Sequence, residues 1–492
     1  MQPSLPILNR RFTARSDFKS SAGLAYNLLP FRFLRLDTSR YILTNFSGEY
    51  VVLSRPHLES LVRHKLDVDS PQYQILKSRH FVIDGDSTVA LDLLATKYRT
   101  KQEFLARSTS LFMFVVSLRC DHSCPYCQVS RQSENRAAFD MTEEMARKAV
   151  SYVFDSPSRI IKVEFQGGEP LLNFELVKQI VFEVISRNSD GSRDIQFVIA
   201  TNLSKLTDEV LEFCRVHDVY ISTSLDGPRQ IHNGNRPRVG DNSYELTVEG
   251  IRRVRDALGP DRISALMTTT EASLKEPHAI IDEYLAQGFS SIFLRPVSPY
   301  GFAVKTGQSR RYDDEEWLQF YKTGLEYIFD LNRNGVGFRE EYASLLLRKI
   351  LTPYPTGYVD LQSPSGLANS CIAFNYDGGI YASDESRMLA EMGDFKFRLG
   401  NLECDTFQSV MNSPSLRNLL VETATEGVPM CSDCGIQPYC GSDPVFHHAT
   451  QGDVVGCKPK SVFCRRSMAL VRHLITLLED HPSESAILKS WL

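Results

Sequence analysis

Residues 111–127 read LFMFVVSLRCDHSCPYC. The first part, LFMFVVSL, is a short apolar run rich in aromatic and β-branched residues, the pattern of a buried strand. It is far too short to span a bilayer. Cys120, Cys124 and Cys127 follow it directly, at CxxxCxxC spacing. Three thiolates so spaced can hold three corners of a [4Fe–4S] cluster and leave the fourth iron without a protein ligand. The competing reading is a zinc site using His122, but structural zinc takes four ligands.

Outward from this stretch, strands alternate with amphipathic helices. IIKVEF (160–165), IQFVIAT (195–201), VYISTSL (219–225), ISALMTTT (263–270) and IFLRPV (292–297) read as strands, each preceded by a helical segment. The segment MTEEMARKAVSYVF (141–154) is one such helix, capped by Asp140 or Thr142. Six βα units predict an α/β fold, a partial (β/α)6 TIM-like barrel over residues 109–305 with parallel strands and chemistry at their C-terminal ends. Residues 1–108 read as a small α+β N-terminal domain. There RYILTN and EYVVLS flank Phe46-Ser47-Gly48 as a hairpin, and PHLESLVRHKL follows as a helix. Residues 306–365 read as a helical bridge, and 366–492 as an irregular cysteine-rich C-terminal cluster-binding domain.

The chain has 492 residues, 42% hydrophobic and 23% charged, with a net charge of −5. That is a soluble globular balance of two or three domains. It argues against a nucleic-acid partner, which selects for basic excess. The N-terminal residues lack the apolar core of a signal peptide, and no run suits a membrane, so a cytoplasmic enzyme is expected. Ten of eleven cysteines fall within 120–127 and 371–464, which in a reducing compartment reads as metal ligation rather than disulfides. Cys214, alone in a helical pattern, reads as a core thiol.

With its six βα units, CDHSCPYC resembles the signature of radical S-adenosylmethionine (SAM) enzymes over residues 110–300. The resemblance implies a [4Fe–4S] cluster on Cys120, Cys124 and Cys127 that binds SAM at its open iron and yields a 5′-deoxyadenosyl radical. It also implies a SAM-binding role for Gly167, Gly168 and Glu169 after the second strand, for Thr201 and Asn202 after the third, and for Ser224 and Asp226 after the fourth. Arg295, after the sixth, would meet a carboxylate. Ser224 and Asp226 read equally as a capped turn, and Arg295 as a salt-bridge partner.

The segment CSDCGIQPYC, with Cys431, Cys434 and Cys440, resembles the SPASM extension of these enzymes, which carries auxiliary [4Fe–4S] clusters. The resemblance implies at least one auxiliary cluster on these three and a late cysteine. The longer gap to Cys464 fits better than that to Cys457. Pro444 and Ser383 stand where the SPASM pattern has cysteines, so a first auxiliary cluster is missing or differently ligated. Cys371 and Cys404 are then bystanders or part of an unusual site, and a zinc ribbon is the alternative for the whole region. Asp384 matches an acid that takes the substrate proton in related enzymes, and is otherwise an ordinary loop acid.

Taken whole, LPFRFLRLD (29–37), SPQYQILKSRHF (70–81), SDESRMLAEMGD (383–394) and QPYCGSDPVFHHATQGD (437–453) resemble the His-Xaa-Ser system radical SAM maturases. That implies an oxidoreductase acting on a ribosomally made peptide and forming a crosslink within it. A flavodoxin or ferredoxin would serve as reductant, and a second radical SAM maturase as partner. Rival readings are a sulfatase-maturing enzyme that oxidises Ser or Cys to formylglycine, and a zinc-stabilised interaction protein without catalysis.

Overall fold

The computed structural model describes residues 25–85 and 88–492, in two compact units that divide between Tyr98 and Arg99. In the first unit Phe31–Arg35, Arg40–Asn45 and Tyr50–Ser54 form an antiparallel three-stranded sheet in that order. Gly48 turns the second strand into the third at φ 80°, a conformation that costs glycine little. Ser54 and Ser70 cap helices Arg55–Val62 and Pro71–Ser78, each with proline in the first turn, where its missing N–H is not needed. Alternation along the strands sends Leu43, Val51 and Leu53 inward against Leu58, Leu61 and Leu76.

The second unit is built on one sheet of eight strands. β1 (Leu111–Ser117), β2 (Ile160–Gly167), β3 (Asp194–Thr201), β4 (Val219–Ser224) and β5 (Ile263–Leu266) run parallel, side by side, with helices between them in sequence. This is the α/β barrel sheet. Thr142, not Asp140, caps the helix after β1, accepting from the Met145 N–H at 3.2 Å. Asp140 is held by Arg119.

Two features depart from expectation. The run 292–297 is not a full strand. Only Ser291–Ile292 is extended, and it pairs in parallel with Arg339–Glu340. The link back to the barrel is a bridge between Thr269 and Pro296, with Thr269 N–H donating to Arg295 O at 2.8 Å. Two contacts account for this: the Glu340 carboxylate accepts the Leu294 N–H at 3.1 Å, and Pro296 has no N–H to offer a ladder. The cysteine-bearing segment is also not set apart from the barrel. β6 (Cys371–Phe374) pairs in parallel with β1, and β7 (Gly379–Tyr381) and β8 (Arg398–Asn401) extend the sheet antiparallel.

The join between β1 and β6 is aromatic. Phe374 is fully buried and lies against Phe112, Phe114 and Tyr152, with ring centroids 6.2, 5.2 and 5.4 Å away. Among the described residues no helix is long and apolar enough to cross a membrane. Phe374→Ala should lower unfolding free energy by about 3–5 kcal/mol in urea titration, whereas Phe395→Ala, at a half-exposed ring, should change it by less than about 0.5 kcal/mol.

Candidate functional site

The loop after β1 is fixed by an unusually close backbone approach. Gly168 N–H donates to Ser117 O at 2.9 Å and Glu169 N–H to Arg119 O at 2.8 Å. A Cβ on Gly167 would collide with the Ser117 carbonyl, and one on Gly168 with the carbonyls of Leu118 and Arg119. Arg119 anchors the loop from the other side. Its guanidinium donates to both Asp140 oxygens at 2.7 and 2.8 Å and to Leu172 O at 2.7 Å. Phe302 N–H donates to Cys127 O at 2.7 Å.

Cys120, Cys124 and Cys127 thereby line one chamber, about 1910 Å³ of empty space open to solvent, at the C-terminal ends of the barrel strands. Burial pushes the Cys124 thiol up to about 12 and raises that of Cys120 further. Such thiols stay protonated on their own and ionise when a metal ion takes them as ligands. The donor set therefore fits an iron–sulfur cluster. The ligand atoms of Cys120, Asp121 and His122 lie within 4.8 Å of one another, but both His122 ring nitrogens are engaged. Nε2 lies 2.8 Å from Ser243 Oγ, and Nδ1 lies 2.9 Å from Asp121 Oδ1 and from Asn202 Nδ2.

The expected SAM-binding residues divide into two groups. Gly167, Gly168, Thr201, Asn202, Ser224 and Arg295 line the chamber with the thiols. Glu169 and Asp226 are fully buried and occupied by the chain's own donors. The Glu169 carboxylate accepts from Thr201 Oγ1 at 2.7 Å, Asn202 N–H at 2.9 Å and Leu171 N–H at 3.0 Å, and so ties the end of β2 to that of β3. Its pKa is raised to about 7, mainly by burial. Asp226 accepts from Tyr126 OH at 2.6 Å, from Arg236 at 2.9 and 3.1 Å and from Thr268 N–H at 3.2 Å. It binds the cysteine loop to the barrel. Arg236 lines the chamber and stands 5.4 Å over the Tyr126 ring; no motif in NRPRVG marks it.

Asp384 also lines the chamber, and its carboxylate receives the buried Arg387 guanidinium at 2.9 and 3.0 Å. Its neighbour Glu385 faces both this chamber and a second, inner cavity of about 710 Å³, which also holds Asp360 and Asp443. Burial, then mutual negative charge, raises the pKa of both Glu385 and Asp443, and burial raises that of Asp360. Arg295 is the cation facing Asp360 and Glu385. Tyr358 donates to Asp360, and Trp317, its indole N–H without a hydrogen-bond acceptor, lines the inner wall.

The second cysteine group is gathered elsewhere. The thiols of Cys431, Cys434, Cys440 and Cys464 lie within each other's electrostatic reach, and burial pushes Cys431 up to about 11 and Cys440 to about 12. Cys404 and Cys457 are exposed, Cys214 is buried in its helix, and Cys371 is buried on β6, lining the chamber. Ser383 is the N-cap of helix Asp384–Ala390, and Pro444 opens helix Pro444–Gln451 behind the N-cap Asp443. Both positions that lack the SPASM cysteine thus serve as helix starts.

The radical SAM superfamily model matches residues 114–282. A cysteine-type anaerobic sulfatase-maturating enzyme of Clostridium perfringens is 22% identical over 316 residues, 62% of this chain and 80% of that protein. The solved structure of native anSMEcpe with bound AdoMet superposes with a TM-score of 0.62 at 16% identity, covering 78% of this chain and 99% of that one. Streptococcus suis SuiB bound to the precursor peptide SuiA gives a TM-score of 0.51 at 13% identity, over 89% and 99%.

Gly168→Ala should displace Cys120 through the Arg119 carbonyl. Anaerobic reconstitution of that variant is expected to yield about four fewer irons per chain than wild type. Gly337→Ala, where an added Cβ meets nothing within 4 Å, should leave the iron count unchanged.

Proposed function

Because the chain belongs to the radical SAM superfamily and is an enzyme, we propose that it is a peptide maturase that removes a hydrogen atom from a ribosomally made peptide and closes a crosslink within it. The observation that carries this reading is the shared wall of the two cavities. Arg295, Asp360 and Glu385 line both, so the chamber of the three thiols opens onto acids whose carboxyls hold protons to higher pH than ordinary carboxylates. When bound, the [4Fe–4S] cluster on Cys120, Cys124 and Cys127 with SAM supplies the 5′-deoxyadenosyl radical that takes the hydrogen atom.

The chain's own residues orient and deprotonate. Backbone at Gly167 and Gly168, with Thr201, Asn202 and Ser224, offers hydrogen-bonding groups for the amino acid and ribose parts of SAM. Of the two adjacent acids, Asp384 is neutralised by Arg387. Glu385 keeps its proton to higher pH than an ordinary carboxylate, which suits an acceptor working near neutrality. The proton acceptor is therefore assigned to Glu385, with Asp384 as the sequence-derived alternative. An auxiliary [4Fe–4S] cluster on Cys431, Cys434, Cys440 and Cys464 is the proposed sink for the remaining electron.

The substrate proposed is a peptide with His-Xaa-Ser repeats, a flavodoxin or ferredoxin is the reductant, and a second radical SAM maturase is a partner. The precursor peptide bound by SuiB supports the peptide class. The small N-terminal sheet offers Phe31–Arg35 as an edge strand to which an extended leader could add. Formylglycine formation remains the second reading, supported by the sulfatase-maturating relative.

Three measurements test this. Wild-type protein should bind about eight irons, and the Cys120→Ala/Cys124→Ala/Cys127→Ala variant about four; zinc without labile sulfide would refute the cluster assignment. Mass spectrometry of a His-Xaa-Ser peptide after turnover should show loss of two hydrogens, with backbone fragmentation blocked between the tied residues. Formylglycine would leave fragmentation intact. Finally, the turnover rate should rise with pH through a range above that of ordinary carboxylates as Glu385 loses its proton. Glu385→Gln should lose about 10²–10⁴-fold in rate and that rising limb, and Asp384→Asn should keep the limb.

A further inference from the structure

Around the four cysteines of the second group the chain places positive charge where lysine is seldom found. Lys349, on helix Glu341–Leu351, donates through Nζ to Cys440 O at 3.3 Å and to Leu361 O. Its positive charge acts on the Cys440 thiol. Lys458 is 8% exposed, donates to Val455 O, and acts on both Cys431 and Cys464. One ammonium group comes from the helix before the segment and the other from the turn before Cys464.

The other charged groups that face these thiols are Arg465, toward Cys464, and Glu426, toward Cys431 and Lys349. Arg465 is largely in solvent, where screening is strong, and Glu426 is already bonded by Ser363 Oγ at 2.7 Å and Gln437 Nε2 at 3.1 Å. Among the described residues neither lysine forms a salt bridge with a carboxylate, although Glu426 lies within the electrostatic reach of Lys349, and Asp443 and Asp453 within that of Lys458. Burying an ammonium without a salt-bridged anion is costly. Four thiolates with a [4Fe–4S] core carry net negative charge, which grows by one on reduction. A cation nearby therefore favours the reduced state, and net charge near the cluster is among the levers on its potential.

We propose that Lys349 and Lys458 raise the reduction potential of the centre held by Cys431, Cys434, Cys440 and Cys464, so that it accepts the electron left on the substrate. The inference rests on the auxiliary cluster proposed above. In the step it would serve, the substrate radical would lose one electron to the bound cluster and one proton to the ionised Glu385 carboxylate as the new bond forms, and the electron would leave by way of the reductant. Both lysines are positioning residues, since they act on the cluster through space and touch no substrate.

The test is a redox titration followed by electron paramagnetic resonance. It uses the full chain with Cys120→Ala/Cys124→Ala/Cys127→Ala, reconstituted anaerobically, so that the auxiliary centre alone is read. Lys349→Met and Lys458→Met should each move the midpoint to more negative potential, the double variant should move it further, and Lys349→Arg should restore it. If Lys349→Met fails to hold iron, the shift in Lys458→Met decides. Unchanged midpoints with about four irons per chain overturn the proposal and leave the auxiliary cluster standing. A triple-cysteine protein that binds no iron or sulfide overturns the auxiliary cluster itself, and the role of the lysines with it.

Discussion

The catalytic half of the chain depends on one backbone contact. β1 and β2 approach so closely at their C-terminal ends that Gly167 and Gly168 leave no room for a side chain beneath Ser117 and Arg119. The two N–H···O bonds formed there seat the cysteine loop on the strand ends. The rest of the loop's support converges on the same point. Arg119 clamps Asp140 and Leu172, and the Tyr126 hydroxyl donates a hydrogen bond to Asp226, itself tied to Arg236 and the backbone of Thr268. Buried, charge-assisted networks of this kind hold a site rigid because breaking one partner leaves an uncompensated charge.

Electrostatics differ at the two ends of the working region. Facing the chamber of the three thiols and the cavity behind it, Asp360, Glu385 and Asp443 crowd together, with Arg295 as the cation opposing Asp360 and Glu385 and Lys458 reaching Asp443, and their carboxyls hold protons to higher pH than ordinary carboxylates. Around the second cysteine group, Lys349 and Lys458 supply the charge instead. On the proposed function, the first place would take the substrate's proton and the second its electron.

Much of this was legible in the sequence, for identifiable reasons. CxxxCxxC after an apolar run, and strands alternating with helices, are local patterns, and the fold follows them. The sixth strand was misread because its apolar run gives no sign that the Glu340 carboxylate, 46 residues away, takes the Leu294 N–H. Glu169 and Asp226 sit where ligand-binding residues are expected, yet their carboxylates are saturated by partners up to 100 residues distant, which spacing cannot express. Arg236 escaped notice because a lone arginine in a loop has no pattern. Asp384 and Glu385 are adjacent in the chain, and the salt bridge from the buried Arg387 to Asp384 is what separates them.

The pairing of β1 with β6 has a consequence for the chain's birth. Leu111 meets Cys371, so the partner of the central strand leaves the ribosome 260 residues later. At about 5–20 residues per second that is some tens of seconds during which an apolar strand edge stands without its neighbour. Such an edge is a template for unwanted pairing with other chains. The nascent barrel must therefore be shielded by a chaperone or stay unformed until residue 374 is made. Truncations ending between β5 and β6 would meet the same hazard permanently, and would be expected to precipitate rather than fold as a free-standing barrel.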